Sequence, residues 1–331
     1  MSTSLAIALF AGGLALSALS SLVLSTALDR IGARLGFSEG LLGIVTAVGA
    51  DAPEIAAAVT ALSAGRSDVG VGVVLGSNVF NVAALLGLSA MIAGRVRIHR
   101  RGLLFQGAMG LVATVIAVAL VLGAVSGAVA FVVLLAAFVP YIVVSALGPR
   151  RMKALLPATR VSEFLCAAMA AQERDARAPE HARRADRQDA LATIPALFAV
   201  VVGSIAMVRS AQTLGDRWHV PGVIVGTLVL ATVTGVPNVL AAIRLARAGR
   251  GSAVVSETLN SNTANVLIGL CLPALVGGLK VSTGRVALEA WWLLGITVLA
   301  LVLTGFRGRL RRWEGAVIIA AYAGFVAAIV P

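Results

Sequence analysis

Two acidic side chains stand in the middle of an otherwise apolar run of the sequence. Asp51 and Glu54 lie within the stretch 38–63, which contains no Lys or Arg. Residues three apart project from one face of a helix, so the two carboxylates would point the same way. Carboxylates without a basic partner in an apolar setting need a cation, a proton or hydrogen-bond donors. The pair therefore predicts a site for a positively charged species.

A second polar pattern occurs twice. Ser77 and Asn81 are four residues apart, as are Ser261 and Asn265. One helical turn brings such a hydroxyl and amide to the same point. Each pair fits either hydrogen bonding between helices or ligation of an ion. Together with the acids, these groups form an all-oxygen set that suits hard cations such as calcium or sodium.

These patterns belong to an internal repeat. Four matching pairs are each separated by 184 residues: Pro53 with Pro237, Ser77 with Ser261, Asn78 with Asn262 and Asn81 with Asn265. Agreement of four such positions at one offset predicts a duplicated unit. Each proline lacks an amide hydrogen, so the carbonyls of Gly49 and Val233 are expected to lose their helical partners. A packing kink would explain one proline, but two symmetric prolines close to the acids favour a site.

The elements that must position these residues are membrane-spanning helices. The chain is 59% hydrophobic and 13% charged, with a mean hydropathy of +0.96, which is too apolar for a soluble protein. Runs long enough to cross a bilayer are predicted near 4–27, 38–63, 69–93, 102–123, 126–148, 190–208, 221–243, 252–278, 287–305 and 315–330. Five spans separate the copies, so they insert in opposite orientations. The predicted fold is an all-α integral membrane protein of about ten transmembrane helices, built as two inverted five-helix repeats.

Basic residues predict how the helices are oriented. The odd-numbered loops carry 22 of the 27 Lys and Arg residues, which places these loops in the cytoplasm and both termini outside. The predicted organisation is a first repeat at 1–148, a basic cytoplasmic loop at 149–189 and a second repeat at 190–331. Within the loop, 161–172 is apolar enough to form a short helix on the membrane surface. Because the basic residues lie in short blocks between apolar runs, nucleic-acid binding is not expected.

The paired motifs resemble those of the calcium/cation antiporter superfamily, whose members include the bacterial sodium/calcium exchangers. The family pattern is G-T-S-x-P-E followed by G-S-N-x-x-N, and it occurs twice. Here G-S-N-V-F-N at 76–81 matches closely, and the other three motif copies, at 49–54, 234–238 and 260–265, are degraded. The resemblance covers nearly the whole chain apart from 149–189. It implies that the Ser and Asn positions of both repeats line an ion site. It also implies contributions from Thr234 and from the backbone carbonyls near Ala47 and Ala231.

The second repeat departs from that family pattern. Where the resemblance leads one to expect a glutamate after the proline, Glu54 is present in the first repeat but Asn238 stands in the second. Asp51 stands where the family pattern has a hydroxyl residue. Relative to that pattern, one negative charge has therefore moved from the second repeat to the first. Glu257 lies on the same helix face as Ser261. It either faces the cytoplasmic part of the ion pathway or is a carboxylate stabilised near a helix N-terminus.

The favoured hypothesis is a secondary active antiporter of the cytoplasmic membrane that exchanges sodium for calcium by alternating access. No ATP-binding or enzymatic motif and no prosthetic group is expected, so an ion gradient must drive it. Two desolvated acids one turn apart also favour uptake of a proton. A cation/proton antiporter for sodium, potassium or another divalent ion therefore stays open. A non-transporting family member also stays open, because Asn238 is neutral. An intramembrane protease is disfavoured, since the predicted spans contain a single aspartate, Asp51.

Overall fold

Long apolar helices make up nearly all of the structure, a computed structural model that describes residues 1–155, 157, 159–176, 187–279 and 284–330. The predicted basic loop 149–189 includes residues 156, 158 and 177–186, which lie outside the described part of the chain. The same holds for residues 280–283 and 331 of the predicted second repeat.

The first half of the chain forms seven helices, one π-helical segment and one strand. They are α1 (Thr3–Arg34), α2 (Glu39–Ala50), α3 (Ala52–Ser63), α4 (Ser67–Asn81), π1 (Val82–Leu88), α5 (Ser89–Ala93), β1 (Arg95–Arg97), α6 (Arg100–Val121) and α7 (Gly127–Leu155). A further helix, α8 (Arg160–Ala176), follows and contains the segment predicted to be helical at 161–172.

The second half follows a similar order. Its elements are α9 (Arg187–Arg217), α10 (Gly222–Ile224), π2 (Val225–Leu230), α11 (Ala231–Arg247), α12 (Gly251–Ala264), π3 (Asn265–Cys271), α13 (Leu272–Gly277), α14 (Gly284–Arg307), β2 (Arg309–Arg311) and α15 (Arg312–Ile329). The α4–π1–α5 and α12–π3–α13 runs correspond to each other in the two repeats.

Up to ten candidate spans are present in the described part of the chain. Nine helical runs are long and apolar enough to cross a membrane, and α2 with α3, bent by 55°, forms the tenth. They coincide with the ten runs predicted from the sequence. The predicted fold class, an all-α membrane protein of about ten helices, is confirmed.

The turn after α3 and the turn after α11 show the repeat at the level of the backbone. Gly65 and Gly249 both have positive φ angles, 74° and 77°. The amide of Arg66 donates to the carbonyl five residues earlier at 3.0 Å, and the amide of Arg250 does the same at 2.9 Å. Glycine adopts this left-handed conformation without a steric penalty, so the two turns reverse the chain identically in both repeats.

Helices α1 and α9 pack closely through small residues. A Cβ atom on Gly13 would lie 2.6 Å from the carbonyl oxygen of Gly203, and one on Gly203 would lie 2.7 Å from that of Gly13. The hydroxyl oxygens of Ser17 and Ser204 are 2.9 Å apart. Small residues allow this close approach of backbones, which is how helices associate in lipid.

A two-stranded antiparallel sheet joins two connections that the sequence predicts only as basic loops. In β1 and β2, Val96 lies opposite Leu310, and these side chains are 1% and 0% exposed. The Arg-Val-Arg and Arg-Leu-Arg patterns have the period of two that a half-buried strand requires. Strands of three residues are too short for sequence periodicity to predict.

Candidate ion-binding site

A break in the second span places Asp51. Helix α2 ends at Ala50 and α3 begins at Ala52, with a 55° bend between them. Pro53 occupies the first turn of α3, where a missing amide costs no helical hydrogen bond. Glu54 lies in the same first turn, at the positive end of the helix dipole. Both carboxylates are 1% exposed, so the predicted acid pair is brought together in the protein interior.

The matching proline of the second repeat does not break its helix. Helix α11 continues through Pro237, although Pro237 supplies no amide hydrogen to the Val233 carbonyl. Its irregular backbone lies earlier, in the π-helical turns of π2 that directly precede α11. A proline inside a membrane helix is tolerated where neighbouring helices hold the backbone. The two repeats are therefore related in sequence but differ in backbone at the site.

Asn78 and Asn262 bind each other across the centre of the protein. The Nδ2 atom of Asn78 donates to the backbone carbonyl of Asn262 at 3.1 Å, and the Nδ2 atom of Asn262 donates to that of Asn78, also at 3.1 Å. The two residues are one repeat apart, so the exchange is symmetric. It fixes α4 against α12 and thereby positions the polar side chains one turn away.

Asn81 and Asn265 extend this symmetric network. Asn81 Nδ2 lies 3.3 Å from Asn262 Oδ1, and Asn265 Nδ2 lies 3.2 Å from Asn78 Oδ1. Asn81 Nδ2 also donates to Ser261 Oγ at 3.0 Å. Each amide uses its nitrogen for these bonds. The side-chain oxygens of Asn81 and Asn265 are left for another partner.

Asn238 is the polar partner of both acids. Its Nδ2 atom lies 2.7 Å from Asp51 Oδ1 and 3.4 Å from Glu54 Oε1. The Ser261 hydroxyl also interacts with the Asp51 carboxylate. The salt bridges of the described chain, Arg30–Asp189 and Arg66–Asp216, involve neither Asp51 nor Glu54. The acids are thus held by neutral donors from the opposite repeat.

Five buried oxygen atoms at the centre of the protein have no hydrogen-bond partner within the part of the chain that is described. They are Asp51 Oδ2, Glu54 Oε2, Ser77 Oγ, Asn81 Oδ1 and Asn265 Oδ1. Leaving a buried oxygen unpaired is costly, and carboxylate, hydroxyl and amide oxygens are the ligands that hard cations prefer. The arrangement can therefore coordinate a cation between α3, α4 and the second repeat.

The remaining predicted positions are also buried. Thr234 is 1% exposed, and its hydroxyl donates to the Leu230 carbonyl at 2.9 Å, which leaves its oxygen able to accept or to bind an ion. Ala47 and Ala231 are 5% and 0% exposed. The Ala47 carbonyl accepts the Asp51 amide at 2.9 Å, so one lone pair is already used.

Glu257 lines a cavity of about 450 Å³ that also touches Ala47 and Ala50. Its Oε2 atom is buried without a partner in the described chain, and Asp51 lies close enough for the two charges to repel. Thr46 lines the same cavity with an unpartnered hydroxyl. Glu257 lies in the second turn of α12, which begins at Gly251, and its role in an ion pathway stays a prediction. We name this cavity the Glu257 vestibule.

A second cavity, of about 950 Å³, lies at the opposite end of the bundle. It is lined by the end of α3 and the start of α4, including Val59, Ser63 and Asp68. Its lining does not include the acids, the Ser/Asn pairs or Asn238. The lining of the Glu257 vestibule does not include them either, although it reaches Ala50, the neighbour of Asp51. Both cavities therefore stop short of the buried acids.

The sequence predicts Asn78 and Asn262 as repeat markers and not as site residues. Asn78 lies between Ser77 and Asn81, and Asn262 lies at the same spacing between Ser261 and Asn265. This repeated spacing was the signal that could have identified them. Tyr141, whose hydroxyl donates to Asn260 Oδ1 at 2.6 Å, is not predicted either, because a single tyrosine in an apolar run carries no pattern.

Comparison with known proteins agrees with this architecture. The model of the family described as "Sodium/calcium exchanger protein" matches residues 5–147 and 190–330. The sodium/calcium exchanger MaX1 of Methanosarcina acetivorans is 24% identical over 139 residues, which is 42% of this chain and 40% of that protein. The human sodium/potassium/calcium exchanger 3 is 33% identical over 115 residues, 34% of this chain and 18% of that protein. The matched segments thus span less than half of these relatives.

Two solved structures share the fold. The sodium-calcium exchanger NCX_Mj superimposes with a TM-score of 0.62 at 21% identity, covering 99% of this chain and 100% of that chain. The H+/Ca2+ exchanger CAX superimposes with a TM-score of 0.72 at 16% identity, covering 98% and 86%. Since the family model covers both halves of the sequence, the chain belongs to the sodium/calcium exchanger protein family.

Proposed function

We propose that this protein is a secondary active antiporter that exchanges sodium for calcium across the cytoplasmic membrane. The observation that carries the proposal is the group of buried, unpartnered oxygens around Asp51 and Glu54. They come from carboxylate, hydroxyl and amide groups with no basic residue among them. Such a set has two negative charges and several neutral ligands, which suits calcium or the sodium ions that replace it. The names of the relatives support the same pair of ions.

The ligands we propose are those predicted from the sequence. Asp51 and Glu54 supply the charge. Neutral oxygens come from residues of both repeats, namely Ser77, Asn81, Thr234, Asn238, Ser261, Asn265 and the carbonyls of Ala47 and Ala231. Glu257 lies on the route between this site and the vestibule. A site shared by two inverted repeats can be exposed alternately to either side when one part of the bundle moves against the other.

Helices α1 and α9 are the elements that we propose to move. They pack on each other through small residues and present exposed apolar side chains, such as Leu19 on α1 and Phe198 on α9. The Ser204 hydroxyl of α9 donates to the Pro53 carbonyl at 3.3 Å, which connects this helix pair to the break beside Asp51. Sliding of the α1–α9 pair would therefore change the access of ions to Asp51 and Glu54.

The basic loops support the orientation of the protein. With 22 of 27 basic residues in the odd-numbered loops, these loops are cytoplasmic and both termini are outside. In this orientation the Glu257 vestibule faces the cytoplasm, while Asp51 and Glu54 are buried.

Ion-gradient transport in proteoliposomes tests the proposal. Vesicles loaded with sodium and diluted into sodium-free buffer containing labelled calcium are expected to accumulate calcium, whereas vesicles with equal sodium on both sides are not. A parallel series replaces the sodium gradient with a proton gradient. Accumulation driven by protons alone would reject sodium as the coupling ion, and no accumulation with either gradient would reject calcium as the cargo.

A further inference from the structure

The sheet formed by β1 and β2 places arginines opposite arginines. In its register Arg95 lies opposite Arg311, and Arg97 lies opposite Arg309. Side chains at directly opposed positions are about 5 Å apart, and like charges there destabilise a sheet. Val96 and Leu310 occupy the buried face, so strand alternation places Arg95, Arg309 and Arg311 on the other face. The fold therefore brings together arginine side chains whose positive charges repel each other.

More arginines adjoin this face. Arg100 and Arg101 begin α6, and Arg312 begins α15. All three are exposed. The positive ends of these two helix dipoles add to the same field. The arginine face, as we name it, consists of these three residues with Arg95, Arg309 and Arg311.

Carboxylates do not neutralise the arginine face within the described part of the chain. Its salt bridges, Arg30–Asp189 and Arg66–Asp216, lie elsewhere. The nearby acid Glu314 accepts the backbone amide of Arg311 at 2.7 Å and caps α15. Arg309 Nε is buried with no hydrogen-bond partner. The arrangement thus lacks an anion that would stabilise it.

The position of the sheet indicates which anion can reach it. β1 follows the span Ser67–Ala93 directly, and β2 precedes the span Arg312–Ile329. Trp313, beside the sheet, is 53% exposed, and exposed tryptophans of membrane proteins concentrate at the level of the lipid headgroups. Phosphates of the surrounding bilayer are therefore at the same depth as the arginines. The guanidinium fork matches a phosphate with two parallel hydrogen bonds.

We propose that the arginine face binds the phosphate of an anionic phospholipid headgroup from the surrounding leaflet. The lipid would neutralise the opposed arginines and stabilise the sheet that joins the two connections. The His99 amide donates to Ser252 Oγ at 3.2 Å, so the sheet is attached to the start of α12, the helix that carries Ser261. Lipid binding would thereby stiffen the rim of the Glu257 vestibule.

Lipid binding to the purified full-length protein tests the proposal. Detergent-solubilised protein is titrated with phosphatidylglycerol, phosphatidylcholine or inorganic phosphate, and bound lipid is counted by native mass spectrometry. A basic residue near an anionic surface contributes about five-fold in affinity, so Arg95→Gln with Arg311→Gln is expected to weaken phosphatidylglycerol binding about thirty-fold. Arg209→Gln with Arg285→Gln removes two exposed arginines elsewhere and is expected to leave binding unchanged.

The single variants Arg95→Gln and Arg312→Gln keep the test decisive if the double variant does not fold, since both side chains are exposed. Each is expected to weaken phosphatidylglycerol binding about five-fold. Equal binding by the wild type and the sheet variants would overturn the proposal. So would displacement of the lipid by inorganic phosphate at the same concentration, which would mean a site for free anions.

Discussion

The amide nitrogen of Asn238 lies 2.7 Å from a carboxylate oxygen of Asp51, across the boundary between the two repeats. Asn238 stands where the family resemblance leads one to expect a glutamate, and Asp51 is the acid that the first repeat has in addition. The position that lacks the expected negative charge, Asn238, therefore contacts the position that carries an additional one, Asp51. This contact explains how the site keeps two carboxylates although its repeats are unequal.

Restoring an acid at Asn238 tests this relationship. In Asn238→Asp a third carboxylate would replace the donor that holds Asp51 and Glu54. Without cations the repulsion should lower the melting temperature. Calcium should then raise the melting temperature more than it does in the wild type, because it neutralises more charge.

Asn238→Leu, of similar size but without charge, is the control. It should also lower the melting temperature without cations, since the acids lose their donor. The increase in the melting temperature of Asn238→Leu with calcium should not exceed that of the wild type. A larger increase in Asn238→Leu than in Asn238→Asp would contradict the assigned contact.

The reciprocal bonds between Asn78 and Asn262 predict a strong coupling. Asn78→Ala removes the side-chain donor to the Asn262 carbonyl, which keeps its bond from the Asn265 backbone amide. It also leaves Asn265 Nδ2 without its acceptor, and the expected cost is about 1–3 kcal/mol. The double variant with Asn262→Ala should cost less than the sum of the two single variants, because the residues are in contact. Thermal unfolding in detergent measures this cycle, and additive effects would show that the two bonds are independent.

Gly76 marks a position where no side chain fits. A Cβ atom there would lie 2.6 Å from Thr227 Cα and 2.7 Å from its carbonyl oxygen, so α4 and π2 would have to separate. Gly76→Ala should destabilise the protein by about 1–3 kcal/mol. Gly12→Ala is the matched control because its Cβ would meet no atom within 4 Å. A similar melting temperature for both variants would contradict the observed packing.

The inverted topology can be tested with one pair of equivalent positions. Ala64 and Ala248 occupy the same place in the turns after α3 and α11, and both are exposed. In intact cells, a membrane-impermeant maleimide should label Ala64→Cys but not Ala248→Cys. Inside-out vesicles should show the reverse. The natural cysteines, Cys166 and Cys271, are buried and should react little. Labelling of both positions from one side would exclude the inverted arrangement.

The sequence predicts the spans and the acid pair because both depend on local properties. A membrane span requires about 20 apolar residues, and the pairing of Asp51 with Glu54 requires only one helical turn. The family resemblance implies that the Ser and Asn positions of both repeats line one site, and in the structure Asn81 donates to Ser261.

Other features depend on contacts that one helix does not encode. The helix breaks beside Pro53, whereas α11 is continuous at Pro237 and the irregular turns of π2 come before it. The pairing of β1 with β2 requires the ends of four helices to meet, and three residues give too little periodicity to reveal it. The role of Asn238 as donor to Asp51 also appears only when the two repeats are packed.

The central claim is that Asp51 and Glu54 carry the transported cation. The most direct measurement is sodium-driven calcium uptake into proteoliposomes containing wild type, Asp51→Asn, Glu54→Gln or, as a control, Asp216→Asn, which alters an acid paired with Arg66 on the surface. We expect each of the first two substitutions to abolish uptake and the control to retain it. Wild-type uptake by both Asp51→Asn and Glu54→Gln would contradict the account.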